Sequence, residues 1–153
     1  MELIFKPIPN EKKLTIIPLL SILNKKALSS ELEDRVHKMF ALEHYECIGA
    51  YYNNNLVGIC GLWYSVRHYV GESVEPDHVI INPAYRGRNI GKRFFNWIYD
   101  YTKSKGCEAI ELNTYTANRK SHKFYYNEGF EIFGFHFVKV YDTNNSFVKK
   151  DDV

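Results

Sequence analysis

One stretch of the sequence joins a strand, a glycine-bearing loop and a helix, and it restricts the folds that this chain can adopt. The run "HVIINPAYRGRNIGKRFFNWI" begins with β-branched residues, passes through a loop at 85–92 and ends with apolar residues at helical spacing. In a loop that leads straight into a helix, the first backbone N–H groups have no helical partners and the helix dipole adds positive partial charge. Such a place favours an anion. The alternative is an ordinary turn with solvated arginines, and the loop alone does not decide between the two.

The anion, if one binds, must be held by local groups. The formal net charge of +2 is too small to indicate nucleic-acid binding. The GxxxxGK[ST] motif of a P-loop and the GxGxxG motif of a dinucleotide fold are both absent. The loop itself supplies the cations Arg86, Arg88, Lys92 and Arg93. We expect Arg86 to brace the loop, and Arg88 and Lys92 to contact phosphate.

The remaining patterns predict one α+β domain over residues 1–153, with a frayed polar tail at 142–153. A strand at 3–8 is followed by helices at 14–23 and 29–42. Two strands then flank the asparagines of "YYNNNLV", and a further strand precedes the loop. After the helix at 91–105 we expect a strand at 107–115, a helix at 118–129 and a last strand at 130–141. The order β-α-α-β-β-β-α-β-α-β implies a mixed, mostly antiparallel sheet flanked by helices.

Cysteine usage and hydropathy indicate the compartment. Cys47, Cys60 and Cys107 are widely spaced, without the Cys or His intervals of a zinc site, so we expect buried, reduced thiols and no metal. No apolar run reaches the roughly 18 residues that a membrane span requires, and the first residues lack a signal-peptide pattern. We therefore predict a cytoplasmic protein that binds neither membrane nor nucleic acid.

A second stretch, "NRKSHKFYYNEGF", adds to the first. It places Asn118 at a helix start and Tyr125 two turns along on about the same face. Tyr125 alone, one of twelve tyrosines, is as readily a core aromatic. Together the two stretches, spanning residues 77–130, resemble the acetyl-CoA signature of the GNAT N-acetyltransferases: an apolar strand, (Arg/Gln)-x-x-Gly-x-(Gly/Ala), and a later Asn…Phe-Tyr-x-x-x-Gly-Phe. The chain departs from that pattern at Asn89, which replaces a glycine but tolerates a left-handed backbone well.

The resemblance implies direct transfer of an acetyl group from acetyl-CoA, as co-substrate, to an amine bound in the same complex. Tyr125 matches the family position that donates a proton to the leaving thiolate. A backbone N–H near Ile80 or Ile81 matches the position that donates a hydrogen bond to the oxyanion. The residues that match the family's cofactor-binding positions are Ile80, Ile81, Arg86, Gly87, Arg88, Asn89, Ile90, Gly91, Lys92, Asn118 and Tyr125.

The acids before the loop are candidates for the general base. An alkyl amine with a pKa of about 10.4 is only about one part in a thousand neutral at pH 7, so a base or a dry site must help. Glu75 matches the base position of several family members, Asp77 is the second candidate and His78 the third. Alternatively, these acids only attract a cationic acceptor.

The acceptor is specified weakly. The resemblance favours a primary amine of a small molecule, such as an aminoalkylphosphonate, a polyamine or an aminoglycoside. Arg67 and His68 lie in a loop where they would either hold an anionic group of the acceptor or be solvated. A protein amine as acceptor, a non-catalytic acyl-CoA sensor and a homodimer are left open.

Overall fold

The structure is a computed structural model that describes residues 2–142, 144 and 145. It contains two compact units, residues 1–111 and residues 112–153. A division into compact units does not fix the number of domains, so the single domain stays a prediction. The tail expected to fray, 142–153, lies mostly outside the described residues.

The first unit is built on one five-stranded sheet with the order β1-β2-β3-β4-β5. Its strands are β1 (Leu3–Pro7), β2 (Tyr45–Tyr52), β3 (Asn55–Arg67), β4 (Gly71–Ile81) and β5 (Ala109–Ile110). The first four pair in antiparallel fashion, whereas β5 runs parallel to β4. The predicted mixed, mostly antiparallel α+β sheet is thus confirmed. Asn53 and Asn54, with φ of 47° and 64°, form the β2–β3 turn, which needs two left-handed residues.

The described residues form four α-helices. They are α1 (Ile17–Leu23), which continues a 3-10 helix at Asn10–Ile16, α2 (Ser29–Phe40), α3 (Ile90–Ser104) and, in the second unit, α4 (Arg119–Asn127). Helix α2 starts where the sequence predicts, because the carboxylate of Glu31 accepts a hydrogen bond from the Leu28 N–H at 2.9 Å. Among the described residues, no helix combines the length and apolarity needed to cross a membrane.

Both faces of the sheet are buried. On one face, Ile59 and Ile80 pack in a cluster with Leu20 of α1 and Val36 of α2. On the other, sheet residues pack against α3, whose buried side chains are Ile90, Phe94, Phe95, Ile98 and Thr102. This two-sided burial fixes the direction in which α3 leaves the end of β4.

The three cysteines are free thiols, as predicted. Cys47 and Cys60 are buried, while Cys107 is half-buried. Reduced thiols agree with the expected cytoplasmic location, which stays a prediction.

A β-bulge interrupts β4 just before the loop. Asp77 pairs with Gly61 and Ile80 with Ile59, so His78 and Val79 together oppose the single residue Cys60. His78 takes a positive φ of 37°. A Cβ at Gly61 would lie 2.1 Å from the His78 ring, so only glycine leaves room for that ring on the α1/α2 face. The bulge therefore turns His78 toward the sheet.

The predicted last strand is wrong in this structure. Residues 130–141 all belong to the described part of the chain, and none of them is assigned to a strand. Likewise, the strand expected over 107–115 is reduced to the two residues of β5. An alternating pattern does not by itself make a strand, which also requires backbone pairing with a neighbouring strand.

Candidate active site

The loop between β4 and α3 has the backbone that an anion cradle requires. Asn89, the N-cap of α3, has φ of 58° and ψ of 17°, which is the left-handed conformation. The expectation that Asn89 takes a left-handed backbone is confirmed. Gly87 also has a positive φ, of 77°. A Cβ added at Gly87 or Gly91 would meet no other atom within 4 Å, so the approach to the loop is open.

The N-terminus of α3 is not capped by its own side chain. Asn89 makes no capping hydrogen bond, and the first helical bond runs from the Arg93 N–H to the Asn89 carbonyl at 3.2 Å. The N–H groups of the first turn, on Ile90, Gly91 and Lys92, therefore face outward at the positive end of a 15-residue helix. These features fit a pyrophosphate group.

The two loop arginines have different surroundings. The Nε of Arg86 donates to the Ile81 carbonyl at 3.2 Å, which ties the loop back to β4 as predicted. The guanidinium of Arg88 lies 5.6 Å from the ring of Tyr52 and 5.5 Å from that of Tyr85. Stacking uses the faces of a guanidinium and leaves its N–H edge able to donate, so Arg88 is positioned without losing its donors.

The N–H of Ile81, at the end of β4, points away from β3. Pairing between β4 and β5 ends at Val74, whose carbonyl accepts from the Glu111 N–H at 3.0 Å. On the β3 side, the Asn82 N–H donates to the Val57 carbonyl at 2.8 Å. Because hydrogen bonding alternates along an antiparallel strand, the Ile81 N–H points away from β3 and that of Ile80 toward it. Of the two predicted oxyanion donors, Ile81 is therefore the accessible one.

The first candidate base lies in a polar cluster at the start of β4. Glu75 is 3.8 Å from the Nη2 of Arg67, and its side chain is 28% exposed. The Nε of Arg67 also contacts Glu111 at 3.2 Å. Glu111 accepts hydrogen bonds from Ser73 at 2.7 Å and from the Tyr69 hydroxyl. Burial alone would raise the pKa of Glu111, but these donors outweigh it and lower the pKa.

The other two candidate bases are engaged with each other. Asp77 accepts from the Trp63 indole at 3.2 Å and lies 3.3 Å from the Nδ1 of His78. Burial opposes the charge of Asp77, yet the His78 and Trp63 contacts prevail and lower its pKa to about 2. The Nε2 of His78 lies 2.9 Å from the Tyr45 hydroxyl. Burial raises the pKa of Tyr45, so its hydroxyl stays protonated beside His78.

The second unit holds the two residues of the later motif. The Asn118 Oδ1 accepts from the Ser121 N–H at 3.2 Å, which caps α4 as predicted. After α4, Gly129 has a φ of 88°, its N–H donates to the Tyr126 carbonyl and the Phe130 N–H donates to the Tyr125 carbonyl. These bonds form a Schellman motif. The Phe130 ring lies 5.6 Å from the Tyr125 ring, so the end of the helix fixes the side chain of Tyr125.

Two residues that take part in these polar clusters were not predicted from the sequence. Glu111 joins Arg67, Tyr69 and Ser73, and Tyr45 completes the Asp77–His78 chain. A carboxylate between the apolar residues Ile110 and Leu112 was a sequence signal for Glu111, whereas Tyr45 among twelve tyrosines gave none. Within the described residues, no three His, Cys, Asp or Glu side chains are grouped so as to hold a metal ion.

Comparison with known proteins shows a similarity that covers most of the chain. The model of the acetyltransferase (GNAT) family matches residues 16–130. The aminoalkylphosphonate N-acetyltransferase of Salmonella typhimurium is 28% identical over 110 residues, which are 71% of this chain and 66% of that protein. The chain therefore spans less than two thirds of the length of this relative.

Solved structures of other proteins share the fold. AAC(6')-Iy in complex with a bisubstrate analog, CoA-S-monomethyl-acetylneamine, superposes with a TM-score of 0.79 at 14% identity, covering 93% of this chain and 99% of that chain. The ribosomal-protein-alanine N-acetyltransferase of Brucella melitensis biovar Abortus 2308 also gives 0.79, at 16% identity, covering 92% of this chain and 100% of that chain. With the family model matched over most of its length, the chain belongs to the acetyltransferase (GNAT) family.

Proposed function

We propose that this protein is an N-acetyltransferase that transfers acetyl from acetyl-CoA to the primary amine of a small molecule, by direct attack of the amine in a ternary complex. The observation that carries the proposal is the start of α3. One loop of this GNAT chain combines three features there: the left-handed Asn89, the open approach at Gly87 and Gly91, and the uncapped end of the helix.

Acetyl-CoA supplies an activated acyl thioester, and the chain supplies the groups that bind and polarise it. The N–H groups and cations of residues 86–92 would hold the pyrophosphate, with Arg86 as the brace. The Ile81 N–H is the donor best oriented for the oxyanion. Asn118 has its Oδ1 in the helix cap, so its contribution would come from the amide NH2 group.

Glu75 is the best placed of the three candidate bases. Removing a proton from an alkylammonium at pH 7 costs about 4 to 5 kcal/mol, which the base and a dry site must offset. Asp77, with a pKa of about 2 and contacts on both carboxylate oxygens, is too weak a base. His78 has contacts on both ring nitrogens, and its side chain is only 9% exposed. We assign Asp77 and His78 to positioning β4, and proton removal to Glu75, directly or through water.

Tyr125 is proposed as the proton donor to the leaving thiolate. A phenol of pKa about 10 is protonated at pH 7, and transfer to a thiolate of pKa about 8.5 is uphill by about 2 kcal/mol. The donor therefore assists departure and does not drive it. Its side chain is held between Phe124 and Phe130, at ring distances of 5.4 Å and 5.6 Å.

The polar cluster at the start of β4 bears on the acceptor. Arg67, which would hold a phosphonate or carboxylate, is instead engaged by Glu75 and Glu111. Two carboxylates against one guanidinium leave the cluster with a net negative charge, which favours a cationic amine. The name of the Salmonella relative supports an aminoalkylphosphonate instead, and that of the Brucella structure supports a protein α-amine.

A turnover assay with a panel of amines tests the proposal. Purified protein is mixed with acetyl-CoA and a diamine, an aminoalkylphosphonate, an aminoglycoside or a peptide with N-terminal alanine, and free thiol release is followed. We expect thiol release with at least one small amine, and faster release with the diamine than with the aminoalkylphosphonate. Release with the peptide alone would replace the small-molecule proposal by protein acetylation. No release, with acetyl-CoA still raising the melting temperature, would indicate a sensor.

A further inference from the structure

The polar cluster that contains Arg67 lies on the same side of the sheet as the candidate base. Ser73 and Glu75 are two residues apart on β4, so their side chains point to one face. Arg67 contacts Glu75 from the end of β3, and Glu111 contacts Ser73 from the position that follows β5. All four residues belong to the first unit. An amine that reaches Glu75 therefore lies beside this cluster.

Glu111 is held in one orientation by hydrogen bonds from three side chains. Its carboxylate accepts from the Ser73 hydroxyl at 2.7 Å, from the Arg67 Nε at 3.2 Å and from the Tyr69 hydroxyl. The Glu111 N–H is also fixed, because it donates to the Val74 carbonyl. Burial opposes the charge of this carboxylate, but its three donors prevail and lower its pKa, so it is an anion at neutral pH. Glu111 is thus a fixed negative charge that faces Arg67.

Arg67 is bound more closely by Glu111 than by Glu75. Its Nε lies 3.2 Å from the Glu111 carboxylate, whereas its Nη2 lies 3.8 Å from that of Glu75. A guanidinium is the side chain best suited to bind a phosphonate or a carboxylate through two parallel hydrogen bonds. Glu111 occupies part of that donor edge and neutralises its charge. Loss of the Glu111 charge would therefore make Arg67 available to an anionic group of the acceptor.

We propose that Glu111 determines the charge class of the acceptor: by holding Arg67 it excludes anionic amines and leaves a negative site for the second ammonium group of a diamine. The inference rests on the proposed function, because it names the acceptor class of that same site. Glu111 acts through Arg67 and takes no part in proton removal, so it is a specificity-determining residue. Glu111→Gln keeps the size of the side chain and an acceptor oxygen, and it removes the charge that opposes Arg67.

Calorimetric titration of the full chain with putrescine, a diamine, and with aminoethylphosphonate, both with coenzyme A present, tests the assignment. We expect the wild type to bind putrescine at least tenfold more tightly than aminoethylphosphonate. Glu111→Gln should weaken putrescine and tighten aminoethylphosphonate, so that the ratio of the two Kd values changes at least tenfold. Glu108→Gln is the matched control, because the Glu108 carboxylate accepts from the Glu72 N–H at 3.0 Å, and it should keep the wild-type ratio. Circular dichroism of each variant checks that the fold is retained.

Substitution of Arg67 tests whether Glu111 acts through it. Arg67→Gln alone should bind putrescine at least as tightly as the wild type, an expectation that does not depend on the folding of Glu111→Gln. In the double variant Arg67→Gln/Glu111→Gln, aminoethylphosphonate should bind no more tightly than in the wild type.

Three results would each overturn the assignment of Glu111: a wild type that does not prefer putrescine, an unchanged ratio in Glu111→Gln, or a gain for aminoethylphosphonate that survives the loss of Arg67. Thiol release from acetyl-CoA, followed in parallel, tests the proposed function separately. A ratio that shifts as expected without thiol release would support the role of Glu111 and contradict acetyl transfer. Thiol release with an unchanged ratio would do the reverse.

Discussion

Helices α3 and α4 each have an asparagine as the N-cap, and the two asparagines have different roles. Asn89, before α3, contributes a left-handed backbone and no capping bond. Asn118, before α4, accepts a hydrogen bond from the Ser121 N–H and closes its helix end. The α3 end is thus open to a ligand anion, while the α4 end is satisfied within the chain.

This difference assigns cofactor binding to α3 and the chemical step to α4. An open N-terminus with cations around it favours an anion, so α3 is suited to hold the cofactor. A capped N-terminus stabilises its own helix, so α4 serves mainly to carry Tyr125 on a fixed turn. Substitutions in α3 should therefore change cofactor affinity, and substitutions at Tyr125 should change the rate of the chemical step.

The largest expected effect is on α4. Tyr125→Phe should lower kcat by about 10- to 1000-fold, with the KM for acetyl-CoA nearly unchanged, because the phenol acts on the leaving thiolate and water replaces it only in part. Steady-state thiol release measures both constants. Tyr126→Phe, at the adjacent exposed tyrosine, is the matched control and should behave as the wild type. A kcat that Tyr125→Phe leaves unchanged would remove Tyr125 from the mechanism.

The next effect is on α3. Gly91→Ala should weaken acetyl-CoA binding by about 10- to 100-fold, the size of one weakened charge-assisted hydrogen bond. The same substitution should stabilise the protein without ligand by up to about 1 kcal/mol, because its Cβ meets nothing and alanine favours helix. Binding and chemical denaturation measure the two effects. Gly106→Ala, at a φ of 89° beyond the other end of α3, should lower stability and leave affinity alone.

Asn118→Asp separates the two roles of the capping asparagine. The aspartate keeps an oxygen for the Ser121 N–H and adds a favourable charge at the helix end, so the melting temperature should not fall. Loss of the amide NH2 group should raise the KM for acetyl-CoA by about tenfold if that group donates to the cofactor. Asn118→Ala should instead lose about 1 kcal/mol of stability as well. An unchanged KM in the aspartate variant would limit Asn118 to the cap.

The smallest effect concerns Asp77. Its pKa in the folded chain, about 2, lies below the ordinary value of 3.8, so its contacts contribute stability above about pH 4 that is lost as the pH falls toward 2. The side chain is 54% exposed, so solvent screening keeps this contribution below about 1 kcal/mol. Denaturation of wild type and Asp77→Asn across this range should show the shallower pH dependence in the variant. Equal slopes would contradict the lowered pKa.

Features that depend on neighbouring residues in the chain could be predicted from the sequence. The asparagine turn between β2 and β3, the left-handed Asn89 and the Gly129 stop after α4 depend on residues next to one another in the chain, and all three are found as predicted. The α+β class and the order of elements up to α4 were readable for the same reason. Each of these elements has its own period or cap.

Features that depend on strand register were not readable. The Asp77–His78–Tyr45 chain exists because a bulge turns His78 over Gly61, and no local pattern marks a bulge. Glu111 meets Arg67 only through the short parallel pairing of β4 and β5. The strand expected at 130–141 was not found, because a strong local pattern does not determine whether another strand pairs with it.

Calorimetric titration of wild type and Gly91→Ala with acetyl-CoA and with acetylpantetheine, which lacks the pyrophosphate, tests the central claim most directly. If the α3 start holds the pyrophosphate, Gly91→Ala weakens acetyl-CoA by about tenfold or more and leaves acetylpantetheine within about twofold. Equal weakening of both ligands, or of neither, would contradict the assignment of this loop as the cofactor cradle.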